Sequence, residues 1–177
     1  MLPESISVIE ILELDPYNIK FMAAGGVPKS LPTTLAHLKI LKLINICFGD
    51  VSLVSNILCL IRSSPNMEKL EVVAWPEGNA LVDPVLELLE VEGRSDTTLN
   101  QLCEVKMHLI SGMSELLFLK FILAKSRKLE TVIVGSLGDV HVGFGLLKEW
   151  TRFRRLSPQA EIIFETPGVG VAVYGFE

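Results

Sequence analysis

Residues 38–43 read LKILKL, with Leu38, Leu41 and Leu43 as apolar anchors at the first, fourth and sixth places. A half-buried strand alternates with a period of two, and an amphipathic helix recurs at three and four residues over a longer window. Neither alone explains this order. The same order returns as IEILEL from Ile9, MEKLEV from Met67, LCEVKM from Leu102 and LETVIV from Leu129. A looser copy, QAEIIF from Gln159, lacks the first anchor. The six starts are separated by 29, 29, 35, 27 and 30 residues. The chain is 49% hydrophobic, so three specified sites fill by chance roughly one time in eight, and the regular spacing carries the inference.

Self-similarity at about 20 to 50 residues marks stacked repeats, and L-x-x-L-x-L is the apolar order of leucine-rich repeats. The first anchor then lies at the entry to a short strand, and the last two sit two apart because both point to its buried face. The expected fold is α/β: a leucine-rich-repeat solenoid with a curved parallel sheet and helices on its convex side. In the connecting segments, Asp50 or Ser52 is expected to cap a helix with Val54, Ile57, Leu58 and Ile61 on one stripe, ended by Ser63, Ser64 and Pro65. Ser114 is expected to cap another, with Leu116, Leu119, Ile122 and Leu123 facing inward. GLLKEWTRFRR repeats the theme with Leu146, Leu147, Trp150 and Phe153. Residues 74–98 are the least regular; Trp75, Pro76, Gly78 and Asn79 signal a turn and PVLELLEVEG reads as a short helix or strand, so this stretch is taken as an insertion in one continuous stack.

A chain of 177 residues suits one domain, and a net charge of −5 with pI near 5.3 gives no whole-chain reason to expect nucleic acid or an anionic membrane. Cys47, Cys59 and Cys103 are odd in number and widely spaced, unlike a disulfide framework or a paired metal site, which points to a reducing compartment, cytoplasmic or nuclear. No apolar run approaches the ~18 residues of a membrane span, since Lys120 and Lys125 interrupt LLFLKFILAK. His37, His108 and His141 are scattered, and HExxH, paired CxxC and GxSxG are absent from the sequence. The glycine-rich VGFG and GVGVAVYG segments match no Walker or dinucleotide fingerprint. No cofactor and no catalytic residue is expected.

If the strands stack in parallel, the residues between the buried anchors form two columns on the concave face, where repeat proteins bind. One reads Glu13, Lys42, Glu71, Lys106 and Ile133; the other reads Ile11, Ile40, Lys69, Glu104 and Thr131. The plainer reading of the first is a solvated ladder of ion pairs worth about 0–1 kcal/mol each; the functional one is a charged recognition strip for a target protein. Ile11 and Ile40 would add an exposed apolar pair. Lys148, Arg152 and Arg155 would share a helix face opposite Trp150 and Phe153, which reads as a solvated basic face.

Four segments, LPTTLAHLKILKLINICFGD, LIRSSPNMEKLEV, LNQLCEVKMHLISGMSELLFLKFILAKSRKLETVIVG and LLKEWTRFRRLSPQAEIIFE, resemble plant F-box/FBD/LRR-repeat proteins in the same order. ELLFLKFILAKSRKLETVIV and RFRRLSPQAEIIF are similar to the two halves of the FBD region. The resemblance implies repeats over residues 1–100, an FBD region over 101–165 that continues the stack, and a C-terminal tail over 166–177. It also implies a non-catalytic substrate-recognition subunit of an SCF-type ubiquitin ligase, which holds a target protein close to the transfer machinery. The chain enters a repeat at Ile9 with no F-box ahead of it, so a Skp1-like adaptor is expected as a partner only where an F-box lies upstream. The alternative is an F-box-less scaffold or decoy that binds the same target without ubiquitination; a small enzyme ranks behind both. IEILEL is expected to be an unprotected sheet edge through which an isolated chain associates.

Overall fold

Each copy of the repeated order forms a strand, and each strand lies beside the next copy. The structure, a computed structural model, describes residues 8–22, 31, 33–75, 83–109, 113–136, 152–166 and 169–174. Its strands are β1 (Ile11–Leu14), β2 (Ile40–Ile46), β3 (Lys69–Ala74), β4 (Glu104–Leu109), β5 (Thr131–Ser136), β6 (Glu161–Thr166) and β7 (Val169–Tyr174). Among the described residues, four helices alternate with the early strands: α1 (Pro16–Met22), α2 (Val51–Arg62), α3 (Asp83–Gly93) and α4 (Met113–Lys125). The sheet order is β1 to β7 in sequence, with β1 to β6 parallel and β7 antiparallel to β6. Successive parallel neighbours need crossovers, and crossovers of one hand that always step the same way put the helices on one face of the sheet.

The anchors fill that covered face. Leu38, Leu41 and Leu43, then Met67, Leu70 and Val72, then Leu102, Val105 and Met107, and then Leu129 and Val132 are each no more than 2% exposed. They join Leu53, Val54, Ile57, Leu58 and Ile61 of α2 and Leu116, Phe118, Leu119, Ile122 and Leu123 of α4 in one core cluster. Phe118 is fully buried, with its ring 5.2 Å from Phe48 and 6.5 Å from Phe121, so it ties α4 to the turn after β2. Ser63, Ser64 and Ser126 are buried because each hydroxyl donates to the carbonyl one turn back, of Cys59, Leu60 and Ile122.

In β2 the buried spacing changes from two residues to three between Leu43 and Ile46. The register with β3 slips at the same point, and Asn45 adopts φ 57°, a left-handed conformation that asparagine tolerates better than most side chains. The extra residue returns Ile46 to the core instead of the opposite face. Asp50 caps α2, its carboxylate accepting from the Leu53 amide at 3.1 Å.

Several expectations need correction. Ser114 lies inside the first turn of α4 instead of at its cap, 1% exposed. Phe118 and Phe121 are buried along with the expected stripe, so α4 is apolar on several sides. Residues 152–155 form a turn and irregular backbone, so Arg152 and Arg155 do not continue a helix face; Leu146, Leu147, Lys148 and Trp150 lie outside the described residues. Of the two readings open for PVLELLEVEG within 74–98, the helix is the one found, as part of α3. Residues 169–174 of the tail form β7, which pairs with β6.

Candidate protein-binding surface

Strand alternation sends the residues between the core positions to the sheet face away from the helices. The register aligns Ile11, Ile40, Lys69, Glu104, Thr131 and Glu161 across β1 to β6. It aligns Glu13, Lys42, Glu71, Lys106, Ile133 and Ile163 in a second column. Both columns therefore stand as the anchor spacing requires. Ile11 is 58% exposed; Ile40 is half-buried, so the pair at this end of the face is less exposed than the spacing alone suggests.

Opposite charges meet across these strands. Lys69 reaches Glu104 at 3.2 Å and Lys42 reaches Glu71 at 3.7 Å, while Lys39 meets Glu68 at 2.7 Å just before β2 and β3. Lys106 reaches past β5 to Glu165 of β6, at 3.4 Å. All these side chains are partly exposed, so each pair contributes about 0–1 kcal/mol, and the ladder sets register and surface character more than stability. The long reach crosses a column that contains Gly135, where an added Cβ would lie 2.6 Å from His108 Nδ1. The glycine leaves the space in which the imidazole lies. Charged residues thus run the length of the face, with Ile11 and Ile40 among them at one end and Ile133 and Ile163 at the other.

This repeated strand-and-helix geometry agrees with the result of comparison with known proteins. Over 151 residues, 84% of this chain, the sequence is 36% identical to the F-box/FBD/LRR-repeat protein At1g13570 of Arabidopsis thaliana. The chain is homologous to part of an F-box/FBD/LRR-repeat protein. It spans 36% of that relative's length. No family model and no solved structure matches.

In this chain the thiols of Cys59 and Cys103 sit in surroundings that keep them protonated. Burial, then the carboxylates of Glu130, Glu68 and Glu104, holds Cys103 above the ordinary thiol range, against the opposing charge of Lys69. Its Sγ donates to the Glu68 carbonyl at 3.3 Å. Burial also raises Cys59, against the nearby Arg62 charge and the Ser63 hydrogen bond. A protonated thiol is a poor nucleophile and a poor metal ligand. Among the described residues, no three His, Cys, Asp or Glu side chains are grouped to hold a metal ion, and no helix is long and apolar enough to cross a membrane. A cleft of about 380 Å³ beside the end of α2 is lined by Ile61, Met67 and Leu99 together with Arg62, whose guanidinium meets Glu92 at 2.6 Å.

Sequence reasoning did not single out His108, Gly135 or Glu165. Extending the two columns into QAEIIFE places Glu165 on the open face, a signal available without coordinates. The close approach of His108 to Gly135 had no such signal, because it depends on two strands lying side by side. The basic residues near Arg152 have a different setting from the one expected. Lys120 lies 5.6 Å from the centre of the Phe153 ring, and burial lowers the pKa of Arg155, whose guanidinium donates to the Ala160 carbonyl at 3.5 Å.

Proposed function

We propose that this chain is a leucine-rich-repeat solenoid that binds a target protein on the concave face of its sheet, as the substrate-recognition part of an SCF-type ubiquitin ligase. The contact residues are Ile11, Glu13, Ile40, Lys42, Lys69, Glu71, Glu104, Lys106, Thr131 and Ile133. Repeats over 1–100 and an FBD region over 101–165 form one continuous stack, followed by the tail 166–177, whose described residues 169–174 form β7. The chain itself carries out no chemistry; it contributes proximity and orientation, in the cytoplasm or nucleus. The observation that carries this reading is the pair of in-register columns on the sheet face turned away from the described helices, mixed in charge along its length with aliphatic residues on the first and last strands. Such a face offers a polypeptide several separated anchors and a fixed charge order.

Site-specific photocrosslinking tests it. A crosslinking residue at Lys42 or Lys106 is expected to capture the same partner, and one at Ser52 on α2 is not. Capture should fall at least ten-fold with Glu71→Lys combined with Lys106→Glu. Equal capture from the two faces would refute the reading. Binding of a purified Skp1-like adaptor by the full natural product separates ligase recruitment from a scaffold that holds the target without ubiquitination.

A further inference from the structure

Strand β5 lies inside the sheet, between β4 and β6, with β3 and β7 beyond them. On the face away from the helices it presents Thr131, Ile133 and Gly135, none of them long or charged. The flanking strands carry Glu104, Lys106 and His108 on β4 and Glu161, Ile163 and Glu165 on β6 in the same register. A shallow trough therefore follows β5. Its Gly135 end is filled, because the His108 imidazole lies over the glycine and Lys106 crosses β5 to Glu165 at 3.4 Å. Its Thr131 end is open: Thr131, Ile133 and Glu104 are half-buried and Glu161 is exposed.

Carboxylates outnumber cations at the open end. Thr131 stands in register with Glu104 on one side and Glu161 on the other, two strand spacings apart, about 10 Å between Cα positions. Lys69 donates to Glu104 Oε2 at 3.2 Å, and Glu104 Oε1 accepts no hydrogen bond from another described residue. Glu161, and Glu130 just before Thr131, are exposed and form no ion pair among the described residues. Lys106 is held by Glu165, and of the two basic residues in the turn before β5, Arg127 and Lys128, the lysine donates to Gln101 at 2.9 Å. The same excess of negative charge reaches Cys103, whose thiol is held up by burial and then by Glu130, Glu68 and Glu104.

We propose that the open end of the β5 trough takes an arginine of the target polypeptide, over Thr131 between Glu104 and Glu161, with an aliphatic side chain two residues away resting on Ile133 and Ile163. This assignment rests on the reading of the sheet face as the target-binding surface and adds the chemistry of the segment that it holds. A guanidinium presents several donors in a planar fork, so one group can serve carboxylates on both walls and the threonine hydroxyl on the floor. Its methylene stem packs along the aliphatic surface while the charged head stays at the acidic end. In an extended segment, side chains two residues apart point the same way and stand roughly 7 Å apart, which matches the step from Thr131 to Ile133. An acidic side chain at the first position would meet Glu104, Glu130 and Glu161 with only Lys69 to offset them, so charge order sets the specificity.

The test is NMR titration of the isotope-labelled full chain with the synthetic peptide acetyl-Gly-Arg-Gly-Leu-Gly-amide. Two controls are the same peptide with glutamate for arginine, and acetyl-Gly-Arg-Leu-Gly-Gly-amide, in which the two side chains point to opposite sides. At millimolar peptide, the first should give saturable shifts of the Thr131, Ile133 and Glu161 amides, the second none, and the third several-fold weaker binding. Glu161→Lys should weaken the first peptide at least ten-fold and Glu161→Gln several-fold; both change an exposed side chain, and the milder one keeps the test valid if the charge reversal disturbs the sheet. Glu90→Gln, on the exposed side of α3, should change nothing. Absence of shifts along β5, equal binding of the arginine and glutamate peptides, or binding indifferent to Glu161→Lys would each overturn the proposal. The titration decides the arginine site alone, whereas target binding by this face is decided by the crosslinks from Lys42 and Lys106.

Discussion

Replacing Asp50 tests whether one carboxylate fixes the start of α2, the helix whose apolar face fills the core behind β2. Its Oδ1 accepts from the Leu53 amide at 3.1 Å, and its Oδ2 lies 2.6 Å from Lys20 Nζ of α1. Loss of an N-cap costs typically about 1 kcal/mol, and the ion pair with the exposed lysine adds about 0–1 kcal/mol. Asp50→Ala should therefore destabilise the chain by about 1–2 kcal/mol near neutral pH. Asp50→Asn keeps an acceptor at the cap and loses only the charge, so it should cost about 1 kcal/mol or less. Burial raises the pKa of this carboxyl, but the hydrogen bonds from Lys20 and Leu53, with the Lys20 charge, outweigh it and leave the pKa below its ordinary 3.8. A depressed folded pKa means that the charge-dependent stability is complete above the unfolded value and disappears as pH falls through the folded one. The deficit of the Asn variant should stay constant between about pH 5 and pH 8 and shrink toward zero below about pH 4. Urea unfolding followed by circular dichroism at several pH values measures both differences. An Ala variant as stable as the native chain, or an Asn deficit that grows on acidification, would refute the reasoning.

Phe118→Ala removes a fully buried ring in contact with two others, and a loss of about 3–5 kcal/mol is expected in the same urea assay. A double-mutant cycle on Lys69 and Glu104 should return a coupling of no more than about 1 kcal/mol, falling with added salt, because both side chains are partly exposed. Gly135→Ala should preserve the fold, since the crowded neighbour is an imidazole that can rotate away, and should shift the His108 ring resonances; an unfolded variant would show that the imidazole is fixed. Cys103 should react with a thiol reagent more slowly than an unstructured cysteine at pH 8, and unfolding in urea should remove the difference.

The repeated order from Ile9 to Gln159 was enough to place six strands and to align their side-chain columns. Alternation on a strand is local, and a common anchor spacing forces a common register once the strands are parallel. The caps and stripes of α2 were legible for the same reason: Asp50, Val54, Ile57 and Ile61 lie within a few residues of one another. The Ser114 cap and the helix through Arg152 and Arg155 were misplaced because helix ends depend on what the last turn packs against, and a plausible cap residue can sit inside the helix. Helix α1 and strand β7 went unassigned, the one short and the other set in a glycine-rich segment, and both form against elements that precede or follow them in space.

By itself the sequence determined the period, the buried anchors and the order of charges along each column, since burial on a strand is written in spacing. Tertiary structure alone decided that Lys106 meets Glu165 past β5 and that His108 lies over Gly135. Those outcomes depend on distances between strands remote in sequence, and no local pattern encodes them.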